Sequence, residues 1–157
     1  MEIGCACSAR LCPQHKGGVR LLDVTAAVIL DKGGRILLAR RSSADKNAPG
    51  RWEFPGGKVE EGETAPACLQ RELCEELGVT AQIGDYICTG IDAERGIRLL
   101  AYYAHIISGP IMPTVHDEVR WVERVDLRSY PMPPADAPIV ETLLQKAGAP
   151  ANRRRPS

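Results

Sequence analysis

The sequence predicts an α/β protein, an α/β/α sandwich around a mixed β-sheet. Three observations lead there. Apolar, partly β-branched runs lie both before and after one central helical segment; a second helical segment follows the last of them; and no internal repeat divides the 157 residues. The length is that of one domain with one core. Apolar residues at 44% against 25% charged ones are the balance of an ordinary globular chain.

The elements follow in order. Residues 1–21 form a polar, Gly-containing extension, expected to be flexible, that carries Cys5, Cys7, Cys12 and His15. Two readings of those four stand side by side: a small zinc knuckle, or incidental thiols on a loose segment. Asp23 to Leu30 (DVTAAVIL) reads as a strand buried on both faces. A turn at Asp31-Lys32-Gly33-Gly34 leads into Arg35 to Ala39 (RILLA), and the two strands are expected to pair as a hairpin. After a polar loop, Trp52-Glu53-Phe54 is a short strand stopped by Pro55-Gly56-Gly57. Thr64 to Leu77 is the central helix, with Thr64 as N-cap, Pro66 tolerated in the first turn and Gly78 as the stop. Leu69, Leu73 and Leu77 make its core stripe. Tyr86 to Ile91 and Ile97 to Ile107 are strands joined by a turn, and Val119 to Val125 alternates as a half-buried strand does. Pro131 to Pro138 interrupts regular structure, and Ile139 to Lys146 is the closing helix. The domain is expected to span residues 22–148, with a disordered basic tail at 149–157.

Charge and composition exclude some classes. Zero formal net charge and a pI near 6.8 argue against a protein that grips long nucleic acid by its backbone. No apolar run reaches the roughly 20 residues of a membrane span, and the start MEIGCACSARLCPQH lacks the apolar stretch of a signal peptide. A cytoplasmic protein with free thiols, monomeric or homodimeric, is the expectation.

The charge is unevenly spread. Between Gly57 and Val79 the chain reads GKVEEGETAPACLQRELCEELGV, with six glutamates against only Lys58 and Arg71. Glu72, Glu75 and Glu76 fall at i, i+3 and i+4, which sets them on one side of a helix. Like charges so close repel unless a cation sits among them. Glu76 also projects beside the leucine stripe, where an unpaired charge is costly, so a metal ligand fits that position better than a solvated acid. A divalent metal is the simplest such cation, and hard ions take carboxylates without Cys or His.

Gly57, Glu63, Arg71, Glu72, Leu73, Glu75, Glu76, Gly78 and Val79 fill the pattern G-x5-E-x7-R-E-U-x-E-E-x-G-U, where U is apolar. In this the chain resembles the Nudix hydrolases, which cut nucleoside diphosphates linked to a further group, using Mg2+. The resemblance runs over about residues 22–146. It implies the Nudix fold, with Glu72, Glu75 and Glu76 as carboxylate ligands and the backbone carbonyl of Gly56 as a further ligand. Arg71 would orient the acids by a bidentate contact and Glu63 would support them. Mg2+ is the implied cofactor, with Mn2+ as a substitute. Relatives often carry a further glutamate in a loop of the form E-H-x-x-x-x-W. Here Val115 stands in its place before His116, and Asp117 or Glu118 is either a replacement or a plain loop acid.

WEFPGGKVEEGET and YPMPPADAPIVETL narrow the resemblance to the MutT-type triphosphate pyrophosphohydrolases, which convert an NTP to NMP and pyrophosphate. By position, Arg41 would contact the substrate, Phe54 would line the base pocket and Arg95 would lie at its mouth; surface charge and core packing are the plain alternatives. Asp136 stands where MutT has Asn. An ionised Asp only accepts hydrogen bonds, whereas a protonated one mimics Asn; a role as helix cap is also open. The resemblance puts 8-oxo-dGTP first as substrate and CTP or a 5-substituted dCTP second. ADP-ribose or dinucleoside polyphosphate hydrolases, and a non-catalytic Nudix module, are the competing classes, but no acid of the pattern is lost.

Overall fold

A computed structural model describes residues 18–147. Its elements are β1 (Leu22–Ile29), β2 (Ile36–Arg41), β3 (Trp52–Glu53), α1 (Ala65–Leu77), β4 (Thr80–Asp92), β5 (Ile97–Ser108), β6 (His116–Val122) and α2 (Ala137–Ala147). Two 3-10 helices, Arg124–Ser129 and Pro134–Asp136, lie between β6 and α2. The extension with Cys5, Cys7, Cys12 and His15, and the basic tail, lie outside the described residues.

The strands form two three-stranded sheets. One is mixed, in the order β1-β5-β4, with β1 parallel and β4 antiparallel to β5. The other, β3-β2-β6, is antiparallel throughout. The helices pack on opposite faces, and β1 shows why. Ala27 and Ile29 join Leu69, Leu73 and Leu77 of α1, while Ala26 and Val28 join Ile139 and Leu143 of α2. Successive strand residues point to opposite faces, so the apolar run of β1 serves both cores. The sandwich read from the sequence is the observed one.

The hairpin is not. β1 pairs with β5 and β2 with β3 and β6; only a single bridge, Leu30 to Ile36, links the two sides of the turn. The turn at Asp31 passes the chain from one sheet to the other. Strand ends also differ. β4 begins at Thr80, before the expected Tyr86, and is bulged at three places. β6 covers His116–Val122, earlier than the expected Val119 to Val125, because the chain enters a 3-10 helix in which Val125 is exposed.

α1 starts and stops as its sequence dictates. The Thr64 hydroxyl accepts from the Ala67 N–H at 3.2 Å, Pro66 occupies the first turn, and Gly78 ends the helix in the left-handed region at φ 69°. The three leucines of its stripe are fully buried; each such side chain contributes about 1.5–3 kcal/mol. Residues after Phe54 run along β1: Ala27 N–H donates to the Pro55 carbonyl and Thr25 N–H to the Gly57 carbonyl, both at 2.7 Å. That edge holds Gly56 and Gly57 against α1. On the other side, β4 touches the 3-10 helix before α2 so closely that a Cβ on Gly90 would lie 1.8 Å from the Ala135 carbonyl oxygen.

Candidate active site

Arg71 organises the outer acids of α1. Its guanidinium grips Glu63 with two bonds, Nε to Oε1 at 2.8 Å and Nη2 to Oε2 at 3.1 Å. Nη1 reaches Glu72 at 2.9 Å and Glu75 at 3.2 Å. The bidentate contact expected of Arg71 with the helix acids falls elsewhere. Its fork closes on Glu63, and single bonds reach the helix acids. This hydrogen bonding holds the Glu63 carboxyl down at about 2, and the same bonds raise Arg71 above its ordinary value. Glu72 lies over Gly57, where a Cβ would meet its carboxyl carbon at 2.2 Å. Only glycine leaves that space.

Glu76 lies apart from this network. Burial pushes its carboxyl up to about 7; the charge of His116 opposes that, the charges of Glu72 and Glu53 add to it, and the Gly56 N–H opposes it. Its Oε2 is buried and has no hydrogen-bond partner. A buried, unpaired carboxylate oxygen is costly, and a divalent cation is the partner its chemistry suits. Glu72, Glu75, Glu76 and the Gly56 carbonyl form a hard oxygen donor set of the kind Mg2+ takes. Among the described residues no three such side chains already converge on one point. Arg71 holds Glu72 and Glu75 on its own side.

A second set of groups lies behind Glu76, and sequence reading missed its centre, Glu53. Its Oε2 accepts from Arg41 Nε at 2.7 Å and its Oε1 meets His116 Nε2 at 3.0 Å. The signal was present: Trp52 and Phe54 are core residues, so strand alternation turns the acid between them the opposite way. Glu53, Arg41, Asp92, Arg95 and Asp136 line a cavity of about 60 Å³. A larger cavity of about 780 Å³, between Val19–Asp23 and Val59–Glu61, contains none of these groups.

Three of the expected pocket residues, Arg41, Arg95 and Asp136, are therefore brought together. Arg95 is at the rim, pairing with Asp92 at 3.8 Å and donating to the Asn47 carbonyl of the loop after β2. Asp136 is buried, and its Oδ1 accepts from the Phe54 N–H at 3.4 Å, across the fold and away from α2. Burial raises its carboxyl to about 7, Glu53's charge adds to that, and the Phe54 N–H and Arg41 oppose it. The Phe54 ring belongs to the core, 3% exposed, and does not line this cavity; the backbone N–H on Asp136 is the residue's link to the pocket.

Residues 20–143 match the NUDIX domain family. The chain belongs to the Nudix family. Among its relatives is the CTP pyrophosphohydrolase of Escherichia coli (strain K12), 36% identical over 137 residues, covering 85% of this chain and 100% of that one. The 8-oxo-dGTP diphosphatase of Haemophilus influenzae (strain ATCC 51907 / DSM 11121 / KW20 / Rd) is 30% identical over 130 residues, 81% of this chain and 94% of its own. The solution structure of the E. coli ORF135 protein superposes with a TM-score of 0.69 at 34% identity, covering 85% of this chain and 96% of that one.

In this Nudix hydrolase the loop acids do not reach the helix acids. Val115 is exposed. Asp117 accepts from the Ser43 N–H at 3.2 Å, and Glu118 pairs with Arg120 and Arg40. Both side chains are thus engaged by groups of β2, β6 and the loop after β2. The loop group that does turn inward is His116, whose side chain is 3% exposed. Burial works against its charged form, but the hydrogen bond to Glu53 and the charges of Glu76 and Glu53 prevail, so its pKa lies above the ordinary value.

Proposed function

We propose that this Nudix nucleotide pyrophosphohydrolase converts a nucleoside triphosphate of the cytoplasmic pool to the monophosphate and pyrophosphate. The observation that carries the reading is the buried, unpartnered Glu76 oxygen inside an acid set from which no member is missing. Glu72, Glu75, Glu76 and the Gly56 carbonyl would hold Mg2+, for which Mn2+ substitutes. When bound, such an ion neutralises phosphoryl oxygens and lowers the pKa of attached water. Arg71 and Glu63 keep Glu72 and Glu75 at the rim of the site, ready to turn toward the cation. No long nucleic acid and no membrane is required, and no helix among the described residues is long and apolar enough to cross one.

For the base, a cytosine ring is favoured, in CTP or a 5-substituted dCTP. The sequence puts 8-oxo-dGTP first; the small size of the pocket supports the cytosine reading. An ionised Asp136 accepts from a cytosine 4-amino group as it does from the N7–H of an oxidised guanine, and Arg95 can donate to the acceptors of either ring. The cavity is only about 60 Å³. A base has to widen it, and a single ring needs the smaller opening. The 8-oxo-dGTP reading keeps one support of its own: with a carboxyl near 7, a protonated Asp136 donates as Asn would.

The test is a panel of CTP, 5-methyl-dCTP, dGTP, 8-oxo-dGTP and ADP-ribose with Mg2+, with both products identified. The expected result is the highest kcat/KM for the cytidine compounds, with pyrophosphate released. A lead for 8-oxo-dGTP would reverse the base assignment. Release of inorganic phosphate, or turnover of ADP-ribose alone, would overturn the reaction.

A further inference from the structure

Thr25 is a polar side chain in an apolar place. It is buried, and strand alternation sets it on the face of β1 that carries Ala27 and Ile29 against α1. A valine of the same shape would pack there as well, so the hydroxyl has to be explained by what it bonds. Its Oγ1 donates to the Gly57 carbonyl at 3.1 Å and accepts from the Gly57 N–H at 3.4 Å. The Thr25 N–H donates to the same carbonyl at 2.7 Å. Cys68 of α1 closes the cluster: its Sγ lies 3.5 Å from the hydroxyl and donates to the Lys58 carbonyl at 3.3 Å.

The bond from the Gly57 N–H has a consequence one atom away. That N–H and the Gly56 carbonyl belong to one planar trans peptide unit, so they point in opposite directions. Holding the N–H on Thr25 therefore fixes the aim of the Gly56 carbonyl, away from the hydroxyl. Two glycines in a row are otherwise the backbone most free to turn. The unit is hemmed in at both ends: a Cβ on Gly56 would lie 2.0 Å from the Thr25 carbonyl oxygen, and one on Gly57 would meet the Glu72 carboxyl. The carbonyl is thus fixed beside an acid of α1.

We propose that Thr25 is a positioning residue: its hydroxyl, by holding the Gly56–Gly57 peptide, keeps the Gly56 carbonyl turned to where a divalent cation is to be bound. This rests on the reading of that carbonyl and the α1 acids as the cation site. Thr25 itself need touch neither metal nor nucleotide.

The test uses the full chain with Mn2+ alone, without nucleotide, reading free Mn2+ by electron paramagnetic resonance. Thr25→Val keeps the shape and the backbone bonds and removes the hydroxyl; Thr25→Ser keeps the hydroxyl and removes a methyl group. The Ser variant should hold most of the wild-type affinity. The Val variant should lose about 10-fold or more, in the range typical of partners that orient a metal ligand. In turnover its Mg2+ requirement for half-maximal rate should rise by a similar factor, with the nucleotide KM at saturating Mg2+ nearly unchanged. Equal affinity in wild type and Thr25→Val, or equal losses in both variants, overturns the proposal while leaving the cation site intact. A wild-type protein that takes up no Mn2+ overturns both. Thermal unfolding checks that each variant folds. If Thr25→Val does not, Thr25→Ala takes its place, lacking the hydroxyl without setting a methyl group against the Gly57 N–H. It should show the same loss relative to Thr25→Ser, and no difference between those two overturns the proposal.

Discussion

Glu76→Gln separates what the fold needs from what the reaction needs. Glutamine keeps the shape of the side chain and removes its charge. In the folded protein burial raises the Glu76 carboxyl from an ordinary 4.5 to about 7. The sign follows from which state holds the proton. The unfolded chain loses it near 4.5 and the folded chain near 7, so the folded state binds more protons between those values and stability falls as pH rises through that window. Below it the group costs nothing; above it the full penalty is present. A gap of about 2.5, at about 1.36 kcal/mol for each pH unit, amounts to about 3 kcal/mol. Partial solvent contact trims this to about 2–3 kcal/mol. For a domain of this size, each kcal/mol moves the unfolding midpoint by about 2–4 °C. In metal-free buffer at pH 8 the Gln variant should therefore unfold roughly 5–10 °C above wild type. At pH 5 the two should nearly coincide. Mg2+ should raise the midpoint of wild type and leave the variant almost unmoved, and the variant should not turn over nucleotide. Scanning calorimetry at both pH values, with and without Mg2+, reads all of this. A variant no more stable than wild type at pH 8 without metal would refute the buried-charge reasoning, and near-normal turnover would refute the role given to Glu76.

Other expectations test neighbouring parts of the site. Asp136→Asn should move the ranking of the nucleotide panel toward 8-oxo-dGTP, because the amide always offers a donor; an unchanged ranking would remove Asp136 from base contact. Gly57→Ala drives a methyl group into the Glu72 carboxylate, whose flexible end can swing aside. The fold should survive while kcat falls about 10²-fold, as for an ångström-scale misplacement, and kinetics beside circular dichroism would show it. Thr64→Ala removes the cap on α1 and should cost about 1 kcal/mol in urea unfolding with turnover at saturating Mg2+ little changed.

What could be read from the chain was local, and what could not was pairing. α1 was legible end to end because each determinant sits within a few residues: the Thr64 hydroxyl meets Ala67, Gly78 takes a backbone angle that other residues resist, and leucines recur on one face. The acids came with it, since helical spacing alone fixes their relative directions. Strand partners depend on the whole chain. The turn at Asp31 looks like a hairpin turn in isolation, yet β1 finds its partner in β5, across more than half of the domain. Glu53 gained its importance from Arg41, across a loop, and from His116, far along the chain, so no local window around it shows the whole cluster. His116 was hidden more deeply, because a one-residue bulge reverses the face on which alternation would place it. Phe54 had two readings, base contact from its place in a family motif and plain core packing; the ring lies in the interior beside the buried Trp52.

The tight meeting of Gly90 with Ala135 gives the pocket floor a back wall without slack. Asp136 is the very next residue along the chain, so its height in the cavity is set from behind, by a strand that places no side chain there. A single added carbon at that wall would press the floor forward by more than a bond length. If Asp136 meets the base as proposed, selectivity is exposed to drift at a position the substrate does not touch.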